Sequence, residues 1–236
     1  MTGEIIHGSV EYIAERIGIL AEVEKARQKL AGSRLGVIGA PSDWLIASDA
    51  DKDAYAEKLG VTLVDIPISE LLEDYESAAA DKLTPEAESV LAAFEAKGAK
   101  ALDKYADGAF RIYKALRRII ARHDLSGLTI RCFDLLDAIG NTGCLALAIL
   151  NAEGIPAGCE GDVPALMSMA IGNALTGCCG FQSNPSRIDP QTGELTLAHC
   201  TVPLNMVLGY DFNTHFESGI GIAICGEMPL GDVTIF

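Results

Sequence analysis

The chain has 236 residues, of which 49% are hydrophobic and 22% are charged, so it can bury a sizeable core and is not expected to be disordered. Its 33 acidic residues outnumber its 18 basic residues, and the resulting net charge of −15 argues against nucleic acid as a partner, because phosphate binding requires clustered lysines and arginines. No apolar run approaches the roughly 20 residues of a spanning helix and no signal peptide begins the chain, so we expect a cytoplasmic protein without membrane contact.

Helices and strands are predicted to alternate over the first 180 residues. Apolar spacings of three and four predict a helix over 9–31, and a short apolar strand follows at 34–39. A helix near 51–59 and a strand at 61–66 continue the pattern. Two longer helices come next, then a strand at 128–133, a helix over 142–152, a strand at 155–159 and a helix from Asp162 to Gly177. This order predicts an α/β fold, a parallel sheet with helices on both faces.

The character of the sequence changes after Gly180, where the helical period is lost. Strands are predicted at 194–201, 213–225 and 232–236, between Gly, Pro, Asn and Asp residues. We therefore predict an α/β domain over 1–185 and a β-rich segment over 186–236, the start of a barrel-like C-terminal domain. Because the last predicted strand has no closing turn, we expect the sequence to be a piece of a longer chain.

Polar and acidic residues follow the predicted strands at the end where open α/β sheets bind ligands. They are Ser42 and Asp43, then Asp134, then Glu160 and Asp162. Converging carboxylates repel one another unless a cation or a shared proton relieves them. Oxygen ligands with an added imidazole favour Mn²⁺ among the divalent metals, and His199 is the obvious imidazole.

Each of these residues also has a structural interpretation. Asp162 stands where a helix N-cap belongs, and capping alone would explain an Asp there. Glu160 and Asp134 fit a solvated or capping role, and His199, like His215, fits a hydrogen-bonded core position.

The seven cysteines contain no C-x-x-C pair, which argues against a structural zinc site and favours reduced, mostly buried thiols. The segment Gly36–Gly39 lacks the glycine pattern of a dinucleotide site, so a nucleotide-binding oxidoreductase is weakly supported.

Several stretches resemble the L-fucose isomerase-like family, which is related to L-arabinose isomerase. They are GVIGAPSDWLIAS (36–48), TIRCFDLL (129–136), GIPAGCEGDVPALMSM (154–169), LAHCTVP (197–203) and HFESGIGIAICGEMPLGDVTIF (215–236). The C-E-G-D block followed by A-H-C-T-x-P is the most specific part. By this resemblance the chain covers the middle α/β domain and the start of the C-terminal domain.

The resemblance implies an aldose–ketose isomerase that acts on a free sugar, uses Mn²⁺ with two carboxylates and assembles as a homo-oligomer. It implies catalytic and metal-binding roles for Asp162 and Asp134, with His199 as a further metal ligand. Ser42, Asp43, Trp44 and Glu160 are the predicted substrate-binding residues. Asp134 departs from the family, whose fucose isomerases carry a Glu there, and this departure leaves an alternative open: a sugar-binding or interaction protein that kept the fold without turnover.

Overall fold

Four parallel strands form the centre of the molecule. The computed structural model describes residues 3–46 and 50–236, so residues 47 and 48 of the first matching stretch lie outside the described residues. The strands are β1 (Arg34–Ile38), β2 (Thr62–Ile66), β3 (Gly127–Ile130) and β4 (Ala157–Gly158), in the order β2-β1-β3-β4. Every neighbouring pair is parallel, which confirms the predicted parallel sheet. The last strand is shorter than predicted, because Pro156 has no N–H and the Cys159 N–H donates to the Gln182 side chain.

Helices connect the strands as parallel pairing requires. They are α1 (Val10–Leu30), α2 (Lys52–Leu59), α3 (Ile68–Ser77), α4 (Pro85–Lys97), α5 (Asp103–His123), α6 (Asp134–Ile139), α7 (Cys144–Ala152) and α8 (Val163–Thr176), with 3₁₀ turns at Ala78–Ala80 and Leu204–Met206. Side-chain caps from Ser9, Asp51, Thr84 and Asp162 begin four of them. In the described parts of the chain no helix is both long enough and apolar enough to cross a bilayer.

The two faces of the sheet have separate hydrophobic cores. The register partners Leu35 and Leu63 point to one face, where they pack with residues of α1, α2 and α8. Ile38 and Ile66, also register partners, point to the opposite face and pack with α3, α4, α5 and α7. Because side chains alternate along a strand, this separation places helices on both faces.

The later part of the chain contains two antiparallel strand pairs, β5 (Asn184–Asp189) with β6 (Glu194–Ala198) and β7 (Gly209–Asn213) with β8 (Ala223–Glu227). The prediction of one strand over 213–225 was wrong, because a loop with positive-φ glycines at 219 and 221 separates β7 from β8. Residues 232–236 form no strand. The described residues form two small sheets here and no closed barrel. The predicted domain boundary at residue 185 falls inside β5 and stays a prediction.

Candidate active site at the carboxyl edge of the sheet

The loops that follow β1, β3 and β4 meet at one edge of the sheet. The Ser42 N–H donates to the Glu160 carbonyl over 2.9 Å, and the Gly161 N–H donates to the Ile130 carbonyl over 2.8 Å. Gly161 has φ +68°, and a Cβ there would lie 2.6 Å from the Ala40 carbonyl oxygen. Only glycine therefore allows this approach. The structure thus places Ser42, Asp43, Glu160 and Asp162 on loops, and Asp134 at the start of α6, along a common edge, while their roles stay predictions.

Arg131 links two of these loops. It follows β3 directly, and its Nη1 donates to the Pro41 carbonyl over 2.8 Å. Its Nη2 lies 2.9 Å from Asp43 Oδ2, and its Nε lies 3.0 Å from Asp134 Oδ1. The guanidinium is thus the cation that compensates the negative charges of two of the converging carboxylates. Hydrogen bonding to Arg131 lowers the pKa of Asp43, which keeps that carboxylate ionised.

Glu160 is held from two sides in an uncommon backbone conformation. Its φ is +67°, a region that non-glycine residues rarely occupy and that often occurs at functional sites. Trp44 Nε1 donates to its Oε2 over 2.9 Å, and its Oε1 lies 3.6 Å from His199 Nε2. The contact with His199 lowers the pKa of Glu160. Because both oxygens have partners, Glu160 is suited to position Trp44 and His199.

His199 is the cationic partner of Glu160. Its side chain is only 5% exposed. Burial of the ring lowers its pKa, but the contacts with Cys200 and Glu160 outweigh burial, and the pKa of His199 rises to about 10. Its Nδ1 lies 3.2 Å from the Thr201 hydroxyl and 3.7 Å from Cys200 Sγ. His199 is therefore a buried imidazolium at neutral pH.

Aromatic rings form a wall beside these groups. The Trp44 ring meets Phe133 edge to face at 5.1 Å, and Phe133 meets His215 at 5.7 Å. His215 in turn lies 5.2 Å from the Phe216 ring. Trp44 is 55% exposed and Phe216 is 72% exposed, so both present apolar surface to solvent. An aromatic ring held by a polar partner is suited to contact the C–H face of a sugar.

Asp162 and Asp134 each use one oxygen within the protein. Asp162 Oδ1 accepts the Ala165 N–H over 2.8 Å, so the predicted cap is present. Asp134 Oδ1 accepts from Arg131. Within the described part of the chain the second oxygen of each carboxylate makes no hydrogen bond to protein and remains available to a substrate.

The predicted metal ligands do not converge as a set. Among the described residues, only Cys144, Cys200 and His215 form a group of three or more His, Cys, Asp or Glu side chains whose ligand atoms all lie within 4.8 Å of one another. Asp134, Asp162 and His199 form no such group, and Arg131 already compensates Asp134. This arrangement does not fit Mn²⁺ on those three residues alone, and their role as metal ligands stays a prediction.

Ser42 is buried at the base of the site. It is 1% exposed, and its hydroxyl finds no hydrogen-bond partner among the described residues. A buried unpaired hydroxyl is costly unless a ligand or water satisfies it. Ser42 is therefore placed to receive a polar group at this edge.

A cavity of about 380 Å³ lies elsewhere, between the segment before α5 and the loop after β7. Its lining includes Lys100, Lys104 and Tyr105 and contains no carboxylate or imidazole. It therefore lacks the carboxylates to which the sequence assigns the chemistry.

Two functional features were missed from the sequence. Arg131 carried a usable signal, because it is a lone Arg directly after a buried strand and at the same edge as Asp43 and Asp134. The contact between Glu160 and His199 had no local signal, because 39 positions separate the two residues in the sequence.

Comparison with known proteins gives the sugar isomerases as relatives. No family model matches the chain. Over 194 residues it is 28% identical to the sulfoquinovose isomerase of Clostridium sp. (strain MSTE9), covering 80% of this chain and 42% of that protein. Sulfoquinovose isomerases of Alkalicoccus urumqiensis and Priestia aryabhattai are 26% and 23% identical, and each match covers 95% of this chain.

The chain spans about half the length of these curated relatives, between 42% and 52%. At 23–28% identity the similarity is distant. It is a similarity to proteins named sulfoquinovose isomerase, and the activity of this chain stays a prediction. The metal and the substrate stay predictions.

Proposed function

We propose that this chain carries the sheet-edge part of the active site of an aldose–ketose isomerase that acts on a free sugar. The observation that carries this proposal is the similarity to sulfoquinovose isomerases over 80–95% of the chain. The edge adds suitable groups: two carboxylates with an available oxygen, a buried imidazolium and an exposed Trp44 ring.

The reaction moves a proton between C1 and C2 of the sugar through an ene-diol. A base takes the C2 proton while the C1 carbonyl oxygen gains a proton, and the electron pair of the broken C–H bond forms the C1=C2 bond. The O2 proton then leaves, C1 receives a proton, and the carbonyl now lies at C2. We assign the proton transfers to Asp162 and Asp134, whose second oxygens are available. Glu160 acts as a positioning residue that holds the Trp44 ring against the sugar.

The names of the relatives make sulfoquinovose the first substrate to test. Its sulfonate is an anion, and Arg131 is the guanidinium at this edge. Arg131 is already paired with Asp43 and Asp134, so an anionic sugar has to exchange with one of these carboxylates. Neutral aldoses do not require that exchange, and a panel should therefore contain both kinds.

The test is deuterium incorporation at C2, measured by NMR in D₂O with sulfoquinovose and with neutral aldoses. This readout detects the first half of the reaction even when turnover is slow. We expect exchange with at least one sugar, and we expect Asp162→Asn to lose it. Asp137→Asn is the matched control, because Asp137 is an exposed acid on α6.

Runs with chelator and with Mn²⁺ test the metal dependence that the sequence predicts. If a folded chain neither exchanges nor binds any sugar under either condition, the assignment of this part of the active site to the chain fails.

A sugar-binding protein without turnover is the second candidate. The pairing of Asp134 with Arg131 favours it, because a carboxylate in an ion pair is a weaker base. It predicts broadening of sugar resonances by the chain with no deuterium incorporation, and Trp44→Ala should abolish that broadening.

A further inference from the structure

Four buried thiols cluster behind the sheet edge. Cys132 Sγ lies 2.8 Å from Cys159 Sγ, and Cys144 Sγ lies 3.2 Å from Cys200 Sγ. A contact between Cys159 and Cys200 joins the two pairs. All four residues are at most 6% exposed. The proposed isomerisation uses none of these thiols.

An imidazole completes part of this cluster. The ligand atoms of Cys144, Cys200 and His215 all lie within 4.8 Å of one another, and all three residues are buried. Cys144 is the first residue of α7, Cys200 follows β6, and His215 lies in the loop between β7 and β8. Three separate segments therefore deliver one nitrogen and two sulfur atoms to the same point.

A small cavity lies beside two of these side chains, Cys144 and His215. It has a volume of about 10 Å³, and its lining includes Cys132, Thr142, Cys144 and His215. That volume is near the minimum for one water-sized occupant. The Thr142 hydroxyl is buried, and its interaction with the Cys144 sulfur falls outside ordinary hydrogen-bond geometry, so no described residue satisfies it. An orphaned hydroxyl next to thiols that form no disulfide indicates a missing polar occupant.

We propose that Cys144, Cys200 and His215 bind a thiophilic divalent cation of the Zn²⁺ class, with the cavity beside Thr142 holding a water as the fourth ligand. Zinc binds thiolate at about 2.3 Å in tetrahedral geometry, which places two sulfur ligands roughly 3.8 Å apart. The observed spacing of 3.2 Å needs only a small separation of the two thiols. Sulfur ligands select zinc-like ions over Mn²⁺, which prefers oxygen, so this site is distinct from the Mn²⁺ site that the sequence predicts.

His215 can present Nε2 to the ion. Its Nδ1 lies 3.2 Å from the Ser218 hydroxyl, and donation to that oxygen fixes the tautomer that leaves Nε2 unprotonated. The Ser218 N–H lies 3.3 Å from the same nitrogen, so metal binding requires the hydroxyl contact to replace the amide contact.

A disulfide between Cys144 and Cys200 is the competing explanation of the close sulfurs. It would use two thiols and leave His215, Thr142 and the cavity without a role. The cation uses all of them and also joins α7 to the two later loops. The absence of a C-x-x-C pair does not oppose such a site, because its ligands lie far apart in the sequence.

The test is titration of the reduced, metal-free chain with Co²⁺, which reports thiolate ligands by charge-transfer absorption and tetrahedral geometry by visible bands. We expect one Co²⁺ per chain, and we expect Zn²⁺ to displace it and excess Mn²⁺ not to. Cys144→Ala should lose the charge-transfer absorption. Cys179→Ala is the matched control, because Cys179 is equally buried and lies outside the cluster.

Two results would overturn the proposal. The first is a folded, reduced parent chain that binds no Co²⁺, and this result does not depend on whether a variant folds. The second is a chain purified under non-reducing conditions that is lighter by two hydrogens and carries a Cys144–Cys200 cross-link by peptide mapping. Asp162→Asn should bind Co²⁺ as the parent does, which separates this site from the proposed active site.

Discussion

Removing the Asp162 side chain should cost the stability of one helix cap. The Asp162 Oδ1 accepts the Ala165 N–H over 2.8 Å at the start of α8, a helix of 14 residues. Asp162→Ala removes this hydrogen bond and should lower the free energy of unfolding by about 1 kcal/mol. For a chain of this size that loss corresponds to a melting temperature lower by about 2–4 °C.

Asp162→Asn should be far milder, because the amide oxygen can accept the same N–H. The lost negative charge at the helix N-terminus costs only a few tenths of a kcal/mol. Asp51 provides matched controls, since it caps α2 in the same way by accepting the Ala54 N–H over 2.9 Å. Thermal unfolding followed by circular dichroism should give the Ala variant a lower melting temperature than the Asn variant at both positions. Equal destabilisation by Asn and Ala at residue 162 would refute the cap argument.

The same variants test Asp162 as a metal ligand. A ligand that binds only the folded state at 100 times its Kd adds about 2.7 kcal/mol of stability. Because the predicted ligands do not converge in the structure, we expect Mn²⁺ to shift the melting temperatures of the parent and of Asp162→Asn equally. A rise confined to the parent would contradict this expectation and restore Asp162 as a metal ligand, since Asn lacks the charge that divalent metals favour.

Three further predictions concern pH, backbone and assembly. The pKa of His199 is raised from 6.5 to about 10, so its stabilising contribution is complete below pH 6.5 and is lost as pH rises through about 10. Urea unfolding across that pH range should show a fall in the free energy of unfolding, and His199→Gln should make that fall smaller. An identical pH dependence in the parent and the variant would count against this role of His199. Gly161→Ala should destabilise the chain more than Gly140→Ala, because both glycines have positive φ but only a Cβ at residue 161 would meet backbone atoms. Equal melting temperatures of the two variants would show that the loop at residue 161 relaxes. The chain should self-associate through apolar residues of α1 such as Ile17 and Val23, which are 54% and 50% exposed. Sedimentation velocity at tens of micromolar, an order of magnitude suited to ordinary oligomers, should show oligomers, and the double variant Ile17→Glu, Val23→Glu should weaken them. A parent chain that stays monomeric would contradict this prediction.

Local signals in the sequence predicted most of the α/β part. Helix α5 shows why, because Ala109, Ile112, Leu116 and Ile119 recur on one face and all four are fully buried. Asp162 likewise caps the helix that it was expected to begin. These features depend on neighbours within one or two helical turns, so the order of residues is enough to predict them.

The later strands were harder to place because tertiary contacts decide their ends. His215 lies in a loop and not in a long strand, because Gly219 and Gly221 adopt positive φ and turn the chain between β7 and β8. The sequence between 213 and 225 is rich enough in apolar residues to read as a strand, and only the turn conformation excludes it.

The candidate site was predictable in location but not in its pairings. Strand ends predicted the shared edge, since the carboxyl ends of parallel strands meet there. The partner of each group was not predictable. Arg131 holds Asp43 and Asp134, and His199 meets Glu160 from a distant loop. Such pairings depend on side-chain directions that the order of residues does not contain.

The thiol cluster also affects how the chain folds. Cys144 and Cys200 are 56 positions apart, and His215 comes later still. Contacts between such distant segments form late, because closing a long loop costs entropy. When the chain is made from its N-terminus, Cys132, Cys144 and Cys159 emerge before the segment that covers them. Thiols react with oxidants when they are accessible, so the chain is most vulnerable to oxidation during synthesis and becomes protected once β8 packs against α7.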